Sequence, residues 1–160
     1  MEQLELDEVL THTLSNALQA DGPSGNSDKH DSAWLVGILR KQIFAHYRNK
    51  YRSEEAVTKA RRSAREILDR PFDVPEELSG LGTNVLGKSD NQSFWDAFNE
   101  CVGMLGEVHA ELFILRDLED VSVEELCGIF GLNRADVLEL NYRARMMVIA
   151  CLVRNLERKN

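Results

Sequence analysis

The chain has few of the residues that interrupt helices, with three prolines and ten glycines in 160 residues. Against many Leu, Ala, Glu and Arg, that scarcity favours an all-α fold. Cysteine is scarce too. Cys101, Cys127 and Cys151 are odd in number, widely spaced and form no CxxC pair, so neither a disulfide framework nor a zinc site is expected. Each falls in an apolar helical pattern, where a buried thiol is the expectation. No apolar run approaches the length of a bilayer span. The N-terminus is acidic and lacks the apolar segment of a signal peptide, so a cytoplasmic chain with no membrane insertion is expected. Catalytic signatures are missing as well: there is no Gly-rich phosphate loop, no HExxH and no Gly-x-Ser-x-Gly elbow. His12, His46 and His109 fall on expected helices far apart in sequence, and acidic faces account for the carboxylates. An enzyme is not expected, and no cofactor or metal ion is implied.

What is present is apolar material and unevenly placed charge. With 43% hydrophobic residues, the chain can build one domain or two small ones. The net charge of −8 argues against a uniformly basic surface. That total hides a pattern: Met1–Leu39 carries −6, Arg40–Arg70 carries +6 and Pro71–Asn160 carries −8. A basic block between acidic ones suits one nucleic-acid contact surface or a solvated helix face.

Leu4–Ala20 reads as an amphipathic helix with an acidic face, followed by a polar loop over Asp21–Asp31, in which His30 is read as a surface histidine. Ser32 is expected to cap a long helix whose buried stripe is Trp34, Leu35, Ile38, Leu39, Ile43, Phe44 and Tyr47. Its outward face carries Arg40, Lys41, His46, Arg48, Lys50 and Arg52, which suits a phosphate backbone or an anionic surface. Glu54–Arg70 continues as a charged helix with Lys59, Arg61, Arg62 and Arg65 clustered, and Pro71 breaks it. The Pro- and Gly-bearing stretch 71–91 is the best domain boundary and is expected to be a flexible linker. Residues 1–70 and 92–160 are the two expected helical domains. In the second, Phe94, Trp95, Phe98, Val102 and Leu105 mark one helix, and Val108, Leu112, Phe113, Leu115 and Leu118 the next.

Val121–Arg145 has the grammar of a helix-turn-helix. Ser122 and Glu125 form a capping box, and Leu126, Ile129 and Phe130 give the short helix an apolar face. Gly131 ends it, and Leu132 plugs the corner. Asn133 caps again with Asp136 at the third position, and a second helix runs through Val137, Leu140 and Ala144 to about Leu156. That spacing suits a recognition helix entering a DNA major groove, and equally an ordinary pair of core helices.

Taken in order, these elements resemble the extracytoplasmic-function sigma factors of bacterial RNA polymerase. Leu6–Leu18 is similar to the family's acidic helix that docks on the polymerase clamp. Ala33–Arg48 resembles the segment that opens and reads the −10 promoter element, and Phe94–Arg145 resembles region four, which reads the −35 element and docks on the polymerase flap. The resemblance implies core RNA polymerase and promoter DNA as partners, with an anti-sigma factor as a further one. It implies polymerase contacts at Asp7, Glu8, Thr13 and Leu14. DNA contacts are implied at Arg40, Lys41, His46, Arg48, Lys50 and Arg52, and at Asn133, Arg134, Arg143 and Arg145.

The chain departs from the family pattern in two places that matter. It begins at the clamp helix, so region two is expected to be truncated. The recognition helix is atypical, with Asp136-Val137-Leu138-Glu139-Leu140 where many members carry basic or small polar residues. An acidic residue near phosphates weakens DNA binding, and a missing guanine-reading arginine forgoes a contact worth roughly 1–3 kcal/mol. A sigma factor-like initiation protein is the leading reading. A degenerate sigma-like regulator, acting as a co-sigma or decoy with little DNA affinity of its own, is the second. A plain helix-turn-helix repressor is the third, and it leaves Leu6–Arg52 without a use.

Overall fold

A computed structural model of the chain describes residues 28–78 and 92–159, together with Asp7, Thr11, His12 and Ser15. Among the described residues the fold is all-α, and no strand occurs. Helix α1 spans Asp28–Lys50 and α2 spans Glu54–Leu68, followed by a 3-10 turn at Glu76–Leu78. Then come α3 (Gln92–Gly103), α4 (Glu107–Phe113), α5 (Val123–Phe130) and α6 (Arg134–Lys159). The chain divides into two compact units, Met1–Val57 and Thr58–Asn160. The division falls within α2 and not in the Pro- and Gly-bearing stretch, so Thr58–Arg70 belongs with the C-terminal unit. Residues 79–91 of the expected linker lie outside the described residues.

In the N-terminal unit, Asp7, Thr11, His12 and Ser15 are helical, and the Thr11 hydroxyl donates to the Asp7 carbonyl at 2.7 Å. The rest of the Leu4–Ala20 stretch is outside the described residues. Helix α1 starts at Asp28, earlier than the Ser32 cap expected, so His30 is helical and not in a loop. Tyr47 is fully buried and Tyr51 nearly so, while Leu35 is 42% exposed. Leu35 points about a third of a turn away from Tyr47 around the helix, which removes it from the buried stripe.

In the C-terminal unit, α6 is the central helix and packs against α3, α4, α5 and the 3-10 turn. Its buried side joins Ala144, Val148, Cys151 and Leu152 to Cys101, Val102 and Leu105 of the α3 end and to Phe113 of α4. Phe94, Ala97 and Phe98 pack on that cluster. Helix α4 widens at its end into a π-helical turn over Ile114–Leu118, with the Glu119 amide donating to the Ile114 carbonyl at 3.1 Å. The wider winding keeps Leu115 fully buried but turns Leu118, expected in the core, out to 41% exposure.

The cysteines depart from expectation. Cys101 and Cys151 form a disulfide that ties α3 to α6, and Cys127 is a half-buried free thiol. Fifty positions separate the pair, a distance at which spacing in the sequence carries no pairing signal.

Candidate nucleic-acid interface

The α5–α6 corner is built by local capping. The Glu125 amide donates to Ser122 Oγ at 3.2 Å, and the Ser122 amide donates back to Glu125 Oε2 at 3.1 Å. This reciprocal box satisfies two amides that the first turn of α5 leaves without helical partners. At the other end Gly131 adopts φ 63°, ψ 34°, a left-handed conformation that strains any residue with a Cβ. Leu132 is buried beneath it. Asn133 Oδ1 then accepts from the Asp136 amide at 2.9 Å and starts α6. Val137 and Leu140 are fully buried, which fixes the roll of α6.

That roll decides which charges the corner presents. Arg134 pairs with Glu124 across the turn, and both side chains are largely exposed. Asp136 pairs with Arg65 of α2 at 3.1 Å, and the Arg61 Nε donates to the Gly131 carbonyl at 3.0 Å. Arg143 donates to Glu139 at 2.7 Å. Its Nη1 also donates to the carbonyls of Ile67 and Arg70, at 2.8 Å each. The Arg143 guanidinium lies 5.3 Å over the Phe72 ring, and Phe72 packs edge-on against Tyr142. Arg145 makes a forked pair with Asp117, whose hydrogen bonds hold the guanidinium proton more firmly than usual. Each of the three arginines singled out from the sequence therefore has a partner within the chain.

Arg61 and Arg65 are the residues that sequence reasoning missed. The sequence shows them one turn apart on α2, but nothing in it links position 61 to position 131. Around α6, Asp136, Glu139 and Arg143 form the flank toward α2. Ala135, Leu138 and Tyr142 stay exposed, with Arg134 and Arg145 beside them.

His109 sits under this corner. It is 3% exposed, and its Nε2 lies 2.7 Å from the Leu140 carbonyl. A carbonyl only accepts, so Nε2 carries the proton in that bond. Burial, with the Arg143 charge as a lesser cause, holds the imidazole below its ordinary range, so the ring is kept neutral.

In the N-terminal unit, Arg40, Lys41, Arg48 and Arg52 are exposed, and His46 and Lys50 are half-buried. The Arg48 guanidinium lies 5.5 Å over Phe44, and the Lys50 ammonium lies 6.0 Å over Tyr51. Aromatic faces therefore support part of this cationic surface. Asp7 is exposed, whereas Glu8, Thr13 and Leu14 lie outside the described residues. Among the described residues, no group of three His, Cys, Asp or Glu could hold a metal ion, and no helix is long and apolar enough to cross a membrane.

Similarity to known proteins points the same way as the order of elements. The chain is similar to RNA polymerase sigma factors. A probable RNA polymerase sigma factor of Haemophilus influenzae is 27% identical over 129 residues, covering 77% of this chain and 64% of that protein. The ECF RNA polymerase sigma factor BldN of Streptomyces coelicolor is 27% identical over 138 residues, covering 86% of this chain and 47% of that protein. The chain thus spans less than two thirds of the length of either relative. No family model and no solved structure matches.

Proposed function

We propose that this chain is a sigma factor-like transcription initiation protein that binds core RNA polymerase and directs it to promoter DNA. The observation that carries this reading is the similarity to two sigma factors, extending over most of the chain. The capped α5–Gly131–α6 corner and the cationic face of α1 support it. In this reading residues 1–70, of which Thr58–Arg70 packs with the C-terminal unit, serve as a region-two-like domain, and 92–160 as a region-four-like helix-turn-helix. Arg40, Lys41, His46, Arg48, Lys50 and Arg52 meet −10 promoter DNA. Asn133, Arg134, Arg143 and Arg145 meet the −35 element or its backbone, and Asp7, Glu8, Thr13 and Leu14 meet polymerase. Catalysis stays with the polymerase, in the cytoplasm where it works. An anti-sigma factor is the further partner.

Reconstitution tests it. Purified chain mixed with core polymerase is expected to form a complex and to start transcripts from a subset of a promoter library. Absence of both core binding and promoter-dependent transcripts would overturn the proposal.

A second reading, a co-sigma or decoy with little DNA affinity of its own, has its own supporting observation. Asp136, Glu139, Glu124 and Asp117 tie up the arginines around the start of α6. Salt titration separates the two readings. A DNA-reading sigma factor on core polymerase gives a steep fall in promoter affinity with salt, and a decoy gives core binding with a flat slope.

A further inference from the structure

The Cys101–Cys151 disulfide borders a pocket of about 210 Å³ lined by Glu100, Met104, Cys151, Arg154, Asn155 and Arg158. The two cysteines are placed unequally. Cys151, 6% exposed, contributes to the pocket wall, while Cys101, 1% exposed, does not line it. Arg154 and Arg158, one helical turn apart and exposed, outnumber the one carboxylate of the lining, Glu100, and leave the pocket with a net positive charge. The Asn155 amide nitrogen lies 3.5 Å from Cys101 Sγ and 3.7 Å from Cys151 Sγ, within reach of both sulfurs. Met104, itself 61% exposed, has its sulfur 3.6 Å from Cys151 Sγ.

We propose that Cys101 and Cys151 are a reversible dithiol–disulfide site that reacts with hydroperoxides, with Cys151 as the attacking thiol and Cys101 as the resolving one. The proposal rests on the function above in one respect: a chain working beside polymerase meets a reducing compartment, where disulfides are transient or sensing and seldom permanent. In the reduced pair, the two guanidiniums and the Asn155 N–H favour the Cys151 thiolate, the nucleophilic form. The thiolate attacks the terminal oxygen of a hydroperoxide ROOH. A sulfur–oxygen bond forms, the oxygen–oxygen bond breaks, and the alkoxide leaves as ROH with a proton from water, giving Cys151 sulfenic acid. Cys101 sulfur then attacks Cys151 sulfur. The S–S bond forms, and the expelled hydroxide takes the Cys101 proton and leaves as water. Two electrons pass from the thiols to the peroxide. A dithiol reductant reverses the change through a mixed disulfide on Cys151, the sulfur at the pocket. The bond joins α3 to α6, so its state sets how firmly α3, with Phe94 and Phe98, is held to the core.

The test uses the full-length chain carrying Cys127→Ser, reduced and then treated with hydrogen peroxide, with products read by intact mass and by dimedone trapping. The expected product is one intramolecular disulfide, a loss of two hydrogens, restored to dithiol by a thioredoxin-type reductant without denaturant. Cys101→Ser is expected to give a dimedone adduct on Cys151, and Cys151→Ser to lose the reaction. Arg154→Gln with Arg158→Gln is expected to slow oxidation by about tenfold or less, as the thiolate fraction falls. Helicity of each variant, read by circular dichroism, separates chemistry from misfolding. A reduced, folded chain that peroxide leaves unchanged overturns the proposal, as does a disulfide that yields to reductant only after unfolding. Core polymerase binding is measured in both states. Its absence in both sinks the sigma-like reading, whereas the peroxide chemistry is read independently of it.

Discussion

Arg65 of α2 and Asp136 in the first turn of α6 form an ion pair, with Nη2 3.1 Å from Oδ2, across 71 positions of sequence. The same carboxylate oxygen accepts from Asn133 Nδ2 at 2.8 Å, so one acidic side chain both finishes a helix cap and anchors α2. This gives Asp136 a role in a helix whose acidic start otherwise opposes DNA binding. Asp136→Asn keeps the shape and removes the charge. Because Arg65 is 55% exposed, the stability lost in denaturant unfolding should stay below about 1 kcal/mol. DNA affinity of the chain, alone or on core polymerase, should rise at low salt, with the salt slope steeper by roughly one phosphate contact. An unchanged slope would show that Arg65 does not reach the backbone when released.

Arg143 should matter more to the fold than to DNA. Its side chain is 12% exposed, and it ties α6 to the C-terminal end of α2 by donating to the Ile67 carbonyl, which also accepts from the Arg70 amide, and to the Arg70 carbonyl just past the helix. Arg143→Ala removes those hydrogen bonds from a charged donor and is expected to cost about 1–3 kcal/mol in a urea melt, with faster hydrogen exchange across the last turn of α2. Arg143→Lys should recover only part of the loss, because an ammonium lacks the planar fork that spans two carbonyls. Equal stability of wild type and the alanine variant would contradict this tie.

What the sequence shows and what it hides differ in range. The α5–α6 corner was legible because its signals are local: Ser122 and Glu125, Gly131, Asn133 and Asp136 each act within three or four residues. The all-α class was legible for the same reason, through the sparse prolines and glycines. Contacts over fifty to eighty positions were not. Arg61 and Arg65 read as a solvated basic run, and only tertiary packing brings them to Gly131 and Asp136. The cysteine pair failed likewise, since helical periodicity marks both positions as buried and is silent on what faces them. Of the cations expected to meet DNA, Arg134 and Arg145 are paired with Glu124 and Asp117 on other elements, which the sequence does not reveal, and Arg143 with Glu139 one turn away on α6. A list of cations from sequence therefore overstates the positive charge available to DNA.

Gly131 offers a test of the corner that is independent of charge. At φ 63° an alanine is strained, so Gly131→Ala should cost about 1 kcal/mol or slightly more, and Gly131→Asn less, since asparagine tolerates the left-handed region. Ser122→Ala removes one half of the capping box and should cost about 1 kcal/mol by thermal or urea melting. The two sites cap opposite ends of α5 and share no partner, so the double variant should show roughly additive loss. A large deviation from additivity would mean that α5 unfolds separately from the rest of the unit.

His109 makes the stability of the C-terminal unit depend on pH. Burial holds its folded-state pKa below the ordinary value of 6.5, so the unfolded chain binds more protons than the folded one once the pH falls through that range. Unfolding is then favoured by acid: the contribution is flat above about pH 6.5 and turns against the fold as pH drops below it. His109→Gln removes the titration while keeping a donor for the Leu140 carbonyl. Wild type is expected to be the more stable at pH 8, where its imidazole is neutral and fitted to the core. The gap between the two should narrow as urea melts are repeated at pH 7, 6 and 5. A gap that stays constant across those melts would mean that His109 does not titrate between the folded and unfolded states.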